Sequence, residues 1–175
     1  MPDRQPTDVT NLDRYGNPVL PWSRPRDLLA HGPKGPGVGF FLGTVRPEGR
    51  PHAAGVGAVW HDGDLYFSSG PGTRKARNLA ANPACTISAQ LAGMDLTLDG
   101  TAARETDPAV LEQVASIYRE IGWPAEVAGD AFTAPYSAPT AGPPPWHLYR
   151  FTFHTVIGLA TDDTQPSGAT RWRFG

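Results

Sequence analysis

The sequence has little cysteine, little net charge and no long apolar run. Its single cysteine, Cys85, excludes an internal disulfide and a cysteine-cluster metal site. No apolar run approaches the roughly 20 residues that a membrane-spanning helix needs, and no apolar signal region follows the charged N-terminus. We therefore expect a cytoplasmic protein without membrane contact. The formal net charge of −2 gives no basic field that would attract nucleic acid.

Glycine and proline, by contrast, are abundant, with 20 and 19 residues in a chain of 175. This content favours frequent turns and short helices, while 39% hydrophobic residues suffice for one domain with a sizeable core. The prolines within residues 1–36 predict an N-terminal arm, either flexible or pinned to the body by Trp22, with a short helix over residues 26–31. Residues 37–175 would form the folded domain.

Apolar patterning in this domain predicts six strands and two helices. The first helix would begin at Thr73 and end before Pro83, and the second is capped by Asp107 and ends at Gly122. Strands are expected at residues 38–45, 51–60, 65–69, 84–91, 95–105 and 146–153, with a last edge strand from residue 169. This order predicts a mainly β fold, an antiparallel barrel with flanking helices rather than a doubly wound sheet.

The most informative segment is the turn and helix over residues 69–83. Thr73 can cap the helix, and Arg74 and Lys75 lie in its first turn, where the helix dipole disfavours cations. A bound anion would reverse that penalty, so the segment predicts a phosphate site made of backbone N–H groups, a hydroxyl and two cations. Arg74 and Asn78 share a helix face and could grip one ligand, or Asn78 could pin the neighbouring loop.

The strand over residues 51–60 has very small side chains at its middle. Ala53, Ala54 and Gly55 lie there, and such a strand either admits a flat ring against its backbone or makes a tight barrel bend. His52 opens the strand as a general acid or base, or as a half-exposed strand residue. No metal site is indicated, since His147 and His154 lie seven residues apart without an acidic partner at metal-ligand spacing.

Two further segments have open roles. The loop over residues 123–145 is long for a compact domain and is expected to cover a site or a subunit contact. In the C-terminal tail, Arg171 to Phe174 could form a core-packing edge strand or could reach a cofactor, with Trp172 as the contact.

Five short segments together resemble the pyridoxamine 5′-phosphate oxidase-like, FMN-binding split-barrel superfamily, which includes deazaflavin (F420)-dependent oxidoreductases. The resemblance implies a six-stranded split barrel and a homodimer with two cofactors at the interface. The segments that carry it are Leu42-Gly-Thr-Val45, Gly49-Arg-Pro-His52, Leu65-Tyr-Phe-Ser68, Thr73-Arg-Lys-Ala-Arg-Asn-Leu-Ala-Ala-Asn-Pro83 and Leu98-Asp-Gly-Thr-Ala102.

The same resemblance implies a set of cofactor contacts. Serine, threonine and the two cations would hold the cofactor phosphate, asparagine would support the phosphate loop, the small strand would follow the ring, and the tail would approach the cofactor. The residues are His52, Ala53, Ala54, Val56, Ser68, Thr73, Arg74, Lys75, Asn78 and Trp172.

The resulting hypothesis is an oxidoreductase that uses FMN, or alternatively F420, on a small organic substrate. The cofactor would carry the chemistry, so no catalytic residue is assigned, although His52 or Tyr136 could protonate the substrate. A non-catalytic protein that binds flavin, F420 or haem is the alternative. Vitamin B6 oxidation is disfavoured, because Arg171-Trp-Arg-Phe174 does not match the ending of true pyridoxamine phosphate oxidases.

Overall fold

A computed structural model of the chain describes residues 4–32, 39–162 and 167–175. Within these ranges no helix is long and apolar enough to cross a membrane. The elements are β1 (Asp8–Asn11), α1 (Ser23–His31), β2 (Phe40–Val45), β3 (Pro51–Val56), β4 (Ala58–His61), β5 (Asp64–Ser69), α2 (Arg74–Ala81), β6 (Ala84–Leu91), β7 (Met94–Glu105), α3 (Pro108–Glu120), β8 (Glu126–Ala128), β9 (Ala131–Thr133), β10 (His147–Ala160) and β11 (Ala169–Arg173).

The main sheet is antiparallel and has nine strands. Its path runs β1-β11-β10-β7-β6-β2-β3, and β5 joins it by pairing with both β10 and β4. The long strand β10 links the parts, because its first half pairs with β5 and its second half with β11, while β7 follows it throughout. The sheet does not close on itself, so the fold is a split barrel that is mainly β with flanking helices, as the sequence predicted.

Local signals explain the two helices beside the barrel. The side chain of Thr73 accepts a hydrogen bond of 3.3 Å from the N–H of Ala76, which confirms the predicted cap of α2. Asp107 accepts one of 2.8 Å from the N–H of Ala109, and Pro108 occupies the first turn of α3. Both helices therefore begin where their capping residues fix them.

Three of the predicted strands differ from the structure by more than one residue. The strand expected over residues 51–60 is divided at Gly57, because β3 pairs with β2 whereas β4 turns to pair with β5. The strand expected to end at Phe153 continues to Ala160, past a register shift between Phe153 and Thr155. The strand expected from residue 38 begins at Phe40, and residue 38 itself lies outside the described residues.

The N-terminal segment packs closely on the barrel. Strand β1 pairs with β11 and forms one edge of the sheet. Trp22 is buried beside Phe153, Trp172 and Phe174, with ring centroids 4.7–5.9 Å away. These contacts place β1 and Trp22 against the barrel core. The expected boundary between residues 36 and 37 lies outside the described residues.

Two hydrophobic clusters fill the molecule. One occupies the barrel and includes Phe67, Phe151 and Phe153, all fully buried. The other lies where α3 packs on β4 and β5, and it includes Tyr118 and Phe132. The segment between α3 and β10 passes over this second cluster, and it contains the short β8–β9 hairpin instead of an unstructured loop.

Candidate functional site

A cleft of about 530 Å³ opens beside the first turn of α2, where α3 and the segment before β10 approach the barrel. The barrel and α2 contribute Gly55, Gly57, Ser68 and Lys75 to its lining. Three aromatic residues that follow α3 also line it, Trp123, Tyr136 and Trp146.

Lys75 is the one charged side chain among the described residues that line this cleft. It is half-buried, and the burial lowers its pKa from the ordinary value of 10.5. In the part of the chain that the structure describes, no carboxylate lies within ion-pair distance of it. An ammonium group in the first turn of a helix, partly desolvated and without a counter-charge, favours a bound anion.

The turn before α2 is held firmly by its own hydrogen bonds. The N–H of Thr73 donates to the carbonyl of Gly70 at 3.1 Å, and the Ser69 and Thr73 hydroxyls share a hydrogen bond of 2.8 Å. Arg77 reaches back and donates to the carbonyl of Gly72 at 2.8 Å. Arg77 is exposed, and this hydrogen bond braces the turn that presents the helix N-terminus.

The segment before β10 covers this turn directly. A side chain at Gly70 would overlap the carbonyl oxygen of Ala141, so the two backbones meet there. Tyr136, Ala138 and Thr140 from the same segment line the cleft. Part of the loop over residues 123–145, which was expected to cover a site or a subunit contact, therefore lies at the cleft.

The floor of the cleft is bare backbone. An added Cβ at Gly55 or Gly57 would meet no atom within 4 Å, so both positions face open space. The hydroxyl of Tyr118, on α3, donates to the carbonyl of Gly57 at 2.7 Å and fixes the strand break. Burial raises the pKa of Tyr118, so this phenol stays protonated and serves as a structural donor.

The residues expected around a cofactor do not all meet in this cleft. It brings together Val56, Ser68 and Lys75. His52 and Ala53 lie near the start of β3 and line a second cleft of about 660 Å³, which Asp99 and His154 also line. Ala54, the next residue of β3, lines neither cleft. The Nδ1 atom of His52 is buried without a hydrogen-bond partner among the described residues.

Arg74 and Asn78 differ in their exposure to solvent. The Arg74 side chain is exposed, whereas Asn78 is fully buried and donates from Nδ2 to the Thr44 hydroxyl at 2.9 Å. Asn78 therefore pins α2 to β2, a strand rather than the neighbouring loop that was the predicted alternative to a shared grip with Arg74.

Trp172 lies in the barrel core. It is fully buried, 5.8 Å from Trp22 between ring centroids, and it lines neither of the two clefts. The structure thus gives the tail the role of a core-packing strand within this chain. Burial by the N-terminal segment is a long-range effect that the tail sequence does not reveal.

Three aromatic residues of the site were missed from the sequence. Tyr118 follows the apolar period of α3 and was counted with the helix core, while Trp123 and Trp146 stand at the ends of the long loop. The signal available was the concentration of aromatic residues in a segment rich in proline and glycine. Within the described ranges, no three His, Cys, Asp or Glu side chains are grouped to hold a metal ion.

The family follows from the sequence profile of pyridoxamine 5′-phosphate oxidase, which matches residues 39–158. This match spans more than half of the chain and contains β2 to most of β10, with all the residues that line the cleft. The chain belongs to the pyridoxamine 5′-phosphate oxidase family. The resemblance seen in its sequence motifs is thereby confirmed. Among curated proteins, none matches the sequence.

Solved structures share the fold of this family member at low sequence identity. A pyridoxamine 5′-phosphate oxidase-related, FMN-binding protein of Nostoc punctiforme is 17% identical over 86% of this chain and 89% of its own, with a TM-score of 0.58. A conserved hypothetical protein of Mycobacterium tuberculosis is 15% identical over 85% and 90%, with a TM-score of 0.62. An F420 reductase is 19% identical over 75% and 94%, with a TM-score of 0.52.

Proposed function

We propose that this protein is an oxidoreductase that binds FMN or F420 in the cleft beside α2. The observation that carries the proposal is Lys75, a half-buried cation without a counter-charge among the described residues, beside the N-terminus of a helix. The family and the fold support it, because structures with this fold include an FMN-binding protein and an F420 reductase.

The phosphate group common to both cofactors would lie beside Lys75 in the cleft. Lys75 would contribute the charge, the N-terminus of α2 its dipole, and Ser68 a hydroxyl. The exposed Arg74 could fold over the phosphate from solvent. Burial removes solvation from the Lys75 ammonium group and lowers its pKa. A bound anion would compensate the charge, so the same contact would raise the pKa of Lys75 again.

The ring system fits the bare floor. Gly55 and Gly57 leave backbone open to the cleft, so a flat ring could lie there without side-chain obstruction. When bound, a flavin or deazaflavin would supply hydride-transfer chemistry. The chain itself would hold the phosphate, orient the ring along β3 and exclude water through the segment before β10.

We further propose that the active form is a homodimer with the cofactor between subunits. The outer face of β2 and β3 carries Phe41 at 58% exposure and Val45 at 37%, an apolar surface beside the second cleft. A partner on this face would bring His52 and Ala53 to the interface. This arrangement accounts for the placement of those two residues away from Lys75.

A second function is a carrier that binds the same cofactor without turnover. No histidine, cysteine or carboxylate is among the described residues that line the cleft, and this composition fits either function because the cofactor would carry the chemistry. Transfer of electrons to an added acceptor, driven by reduced F420 or by NAD(P)H with FMN, separates the two functions. A bound cofactor that is not turned over would favour the carrier.

The test is an equilibrium titration of the protein with FMN and with F420, read by fluorescence quenching. Lys75→Met should weaken binding by about 1.5–3 kcal/mol, the range for a hydrogen bond to a charged group, or roughly 10- to 150-fold. Arg14→Met, which removes an exposed cation from the N-terminal segment, is the control and should have no effect. Equal affinity of the Lys75 variant and the unmodified protein would reject the proposed phosphate site.

A further inference from the structure

Helix α2 also lines a groove of about 530 Å³ against β7 and β10, which we call the α2 groove. It is distinct from the cleft, because the two share no lining residue. Most of its lining is apolar and includes Ala76, Leu79, Ala80, Ala102 and Tyr149. All of these except Ala80 belong to the barrel core, so the groove is a fixed part of the packed fold.

Three nitrogen-bearing side chains complete the α2 groove, one from each of its elements. They are Arg77 of α2, Arg104 of β7 and His147 of β10. Among the described residues that line the groove, none carries a carboxylate. Arg104 pairs with Asp130 at 2.7 Å, whereas in the described part of the chain no carboxylate lies within ion-pair distance of Arg77. An apolar surface with an uncompensated positive charge favours an organic anion.

His147 reports the sign of the electrostatic field in the α2 groove. Burial lowers its pKa from the ordinary value of 6.5, and the guanidinium group of Arg104 lowers it further. The carboxylate of Asp130 raises the pKa of His147 by less than Arg104 lowers it. An anion in the groove would oppose the effect of Arg104, so binding should raise the pKa of His147.

Arg77 connects the α2 groove with the turn before α2. One terminal nitrogen of its guanidinium group donates to the carbonyl of Gly72 at 2.8 Å, and this is its one hydrogen bond to the described residues. Because a guanidinium group has five N–H donors, the others can hold an anion at the same time. A bound anion would restrict the exposed Arg77 side chain to the conformation that braces the turn beside Lys75.

We propose that the α2 groove is a regulatory site for a small organic anion with an apolar body, and that Arg77 couples it to the cofactor site. The anionic group would lie against Arg77, and the apolar body against Leu79 and Tyr149. With the anion bound, the cofactor should bind about fivefold more tightly, at the lower end of the range for coupled sites. The coupling rests on the proposed function, whereas binding in the groove does not.

The probe is 2-naphthoate, titrated calorimetrically into cofactor-free protein. Its uncharged counterpart of the same shape, naphthalene-2-carboxamide, should bind at least tenfold more weakly, because it lacks the charge that Arg77 recognises. Saturation with 2-naphthoate should also raise the pKa of His147, as NMR of its ring protons across pH would record. This second measurement locates the probe in the α2 groove.

Arg77→Met should weaken 2-naphthoate binding about tenfold, since it removes a charge-assisted hydrogen bond. Ala80→Phe keeps every charge but fills part of the groove, and it should weaken binding at least as much. Arg74→Met is the matched control, because Arg74 is an exposed cation of the same helix that does not line the groove. Lys75→Met tests binding in the cleft instead. Both of these variants should bind the probe as the unmodified protein does.

The coupling is measured by titrating FMN and F420 into protein with and without saturating 2-naphthoate. The probe should tighten cofactor binding about fivefold in the unmodified protein and should have no effect in Arg77→Met. Weaker cofactor binding in the presence of the probe would show competition in the cleft and would overturn the proposal. Unchanged cofactor affinity would reject the coupling.

Other outcomes would reject the α2 groove itself as a binding site. These are equal binding of 2-naphthoate and its amide, full probe affinity in Arg77→Met, or loss of probe binding in Lys75→Met. If neither FMN nor F420 binds, the proposed oxidoreductase fails. Probe binding to cofactor-free protein that depends on Arg77 and shifts the pKa of His147 would still support the groove in that case.

Discussion

The two ends of the barrel use similar side chains for opposite purposes. At the end that the N-terminal segment covers, Arg4 lies over the rings of Phe153 and Phe174 at 4.8 and 5.2 Å and pairs with the buried Asp64 at 3.3 Å. At the cleft, Lys75 also lies near aromatic side chains, but no described carboxylate compensates it. A compensated cation holds the fold together, whereas an uncompensated one marks the place for a ligand.

The aromatic residues repeat this contrast. Trp22 and Trp172 are 6% and 0% exposed, and they are packed from every side at the covered end. Tyr136 at the cleft is 45% exposed. We therefore expect substitutions at the covered end to change the free energy of unfolding, and substitutions at the cleft to change ligand affinity.

The largest expected effect is that of Trp172→Ala. This change removes a fully buried indole from the barrel core and should lower the free energy of unfolding by about 3–5 kcal/mol. Denaturant-induced unfolding measures the loss. The folded fraction should keep its cofactor affinity; a selective loss of affinity with unchanged stability would instead return Trp172 to the binding site.

Asp64→Ala should have the second-largest effect on the free energy of unfolding. Its carboxylate is 3% exposed and accepts hydrogen bonds from Arg150 at 2.7 Å and Arg4 at 3.3 Å. Without it, two guanidinium groups lose their counter-charge, which should reduce stability by about 2–3 kcal/mol, less than for a fully buried pair because both arginines are partly exposed. Thermal unfolding at fixed pH tests this, with Asp8→Ala as an exposed control.

Gly70→Ala should have a mixed effect. The new methyl group would overlap the carbonyl oxygen of Ala141, so either the segment before β10 or the turn before α2 must shift. This shift should lower the free energy of unfolding by about 1–3 kcal/mol. Cofactor affinity should fall together with stability. Gly72→Ala, where an added Cβ meets no atom within 4 Å, is the control for the loss of glycine. Equal stability and equal cofactor affinity of the two variants would contradict the contact between this turn and the segment before β10.

Lys75→Met should have the smallest effect on the free energy of unfolding, and it should increase it. Burial disfavours the charged form of Lys75 in the folded state, so its pKa lies below 10.5. The resulting penalty is fully present below the lowered pKa and disappears as the pH rises toward 10.5. The cofactor-free variant should therefore be more stable at neutral pH, by less than about 1 kcal/mol. The difference should shrink at alkaline pH, as unfolding curves across pH would record.

The sequence was most informative where structure depends on near neighbours. Helices α2 and α3 begin at their predicted caps, and β6 has its predicted bounds of Ala84–Leu91, because capping, proline and apolar period act over a few residues. The division of one strand at Gly57 depends on Tyr118, a distant residue of α3, and local pattern does not contain that information.

The candidate site shows the same limit of prediction from local sequence pattern. Val56, Ser68 and Lys75 do meet in one cleft, because the turn after β5 leads straight into α2. His52 and Ala53 line another cleft, because they lie near the start of β3, whereas Gly55 and Val56 lie near its end. The grouping of Trp123, Tyr136 and Trp146 at the cleft depends on the path of the segment before β10. That path follows from packing rather than from periodicity.

The most direct test of the central claim is the pKa of Lys75 itself, followed by NMR of its side-chain nitrogen in cofactor-free and cofactor-saturated protein. We expect a pKa below 10.5 in the free protein and a rise on saturation, as a phosphate settles beside the ammonium group. Saturation that leaves the Lys75 pKa unchanged would show that the anion binds elsewhere, and it would contradict the account.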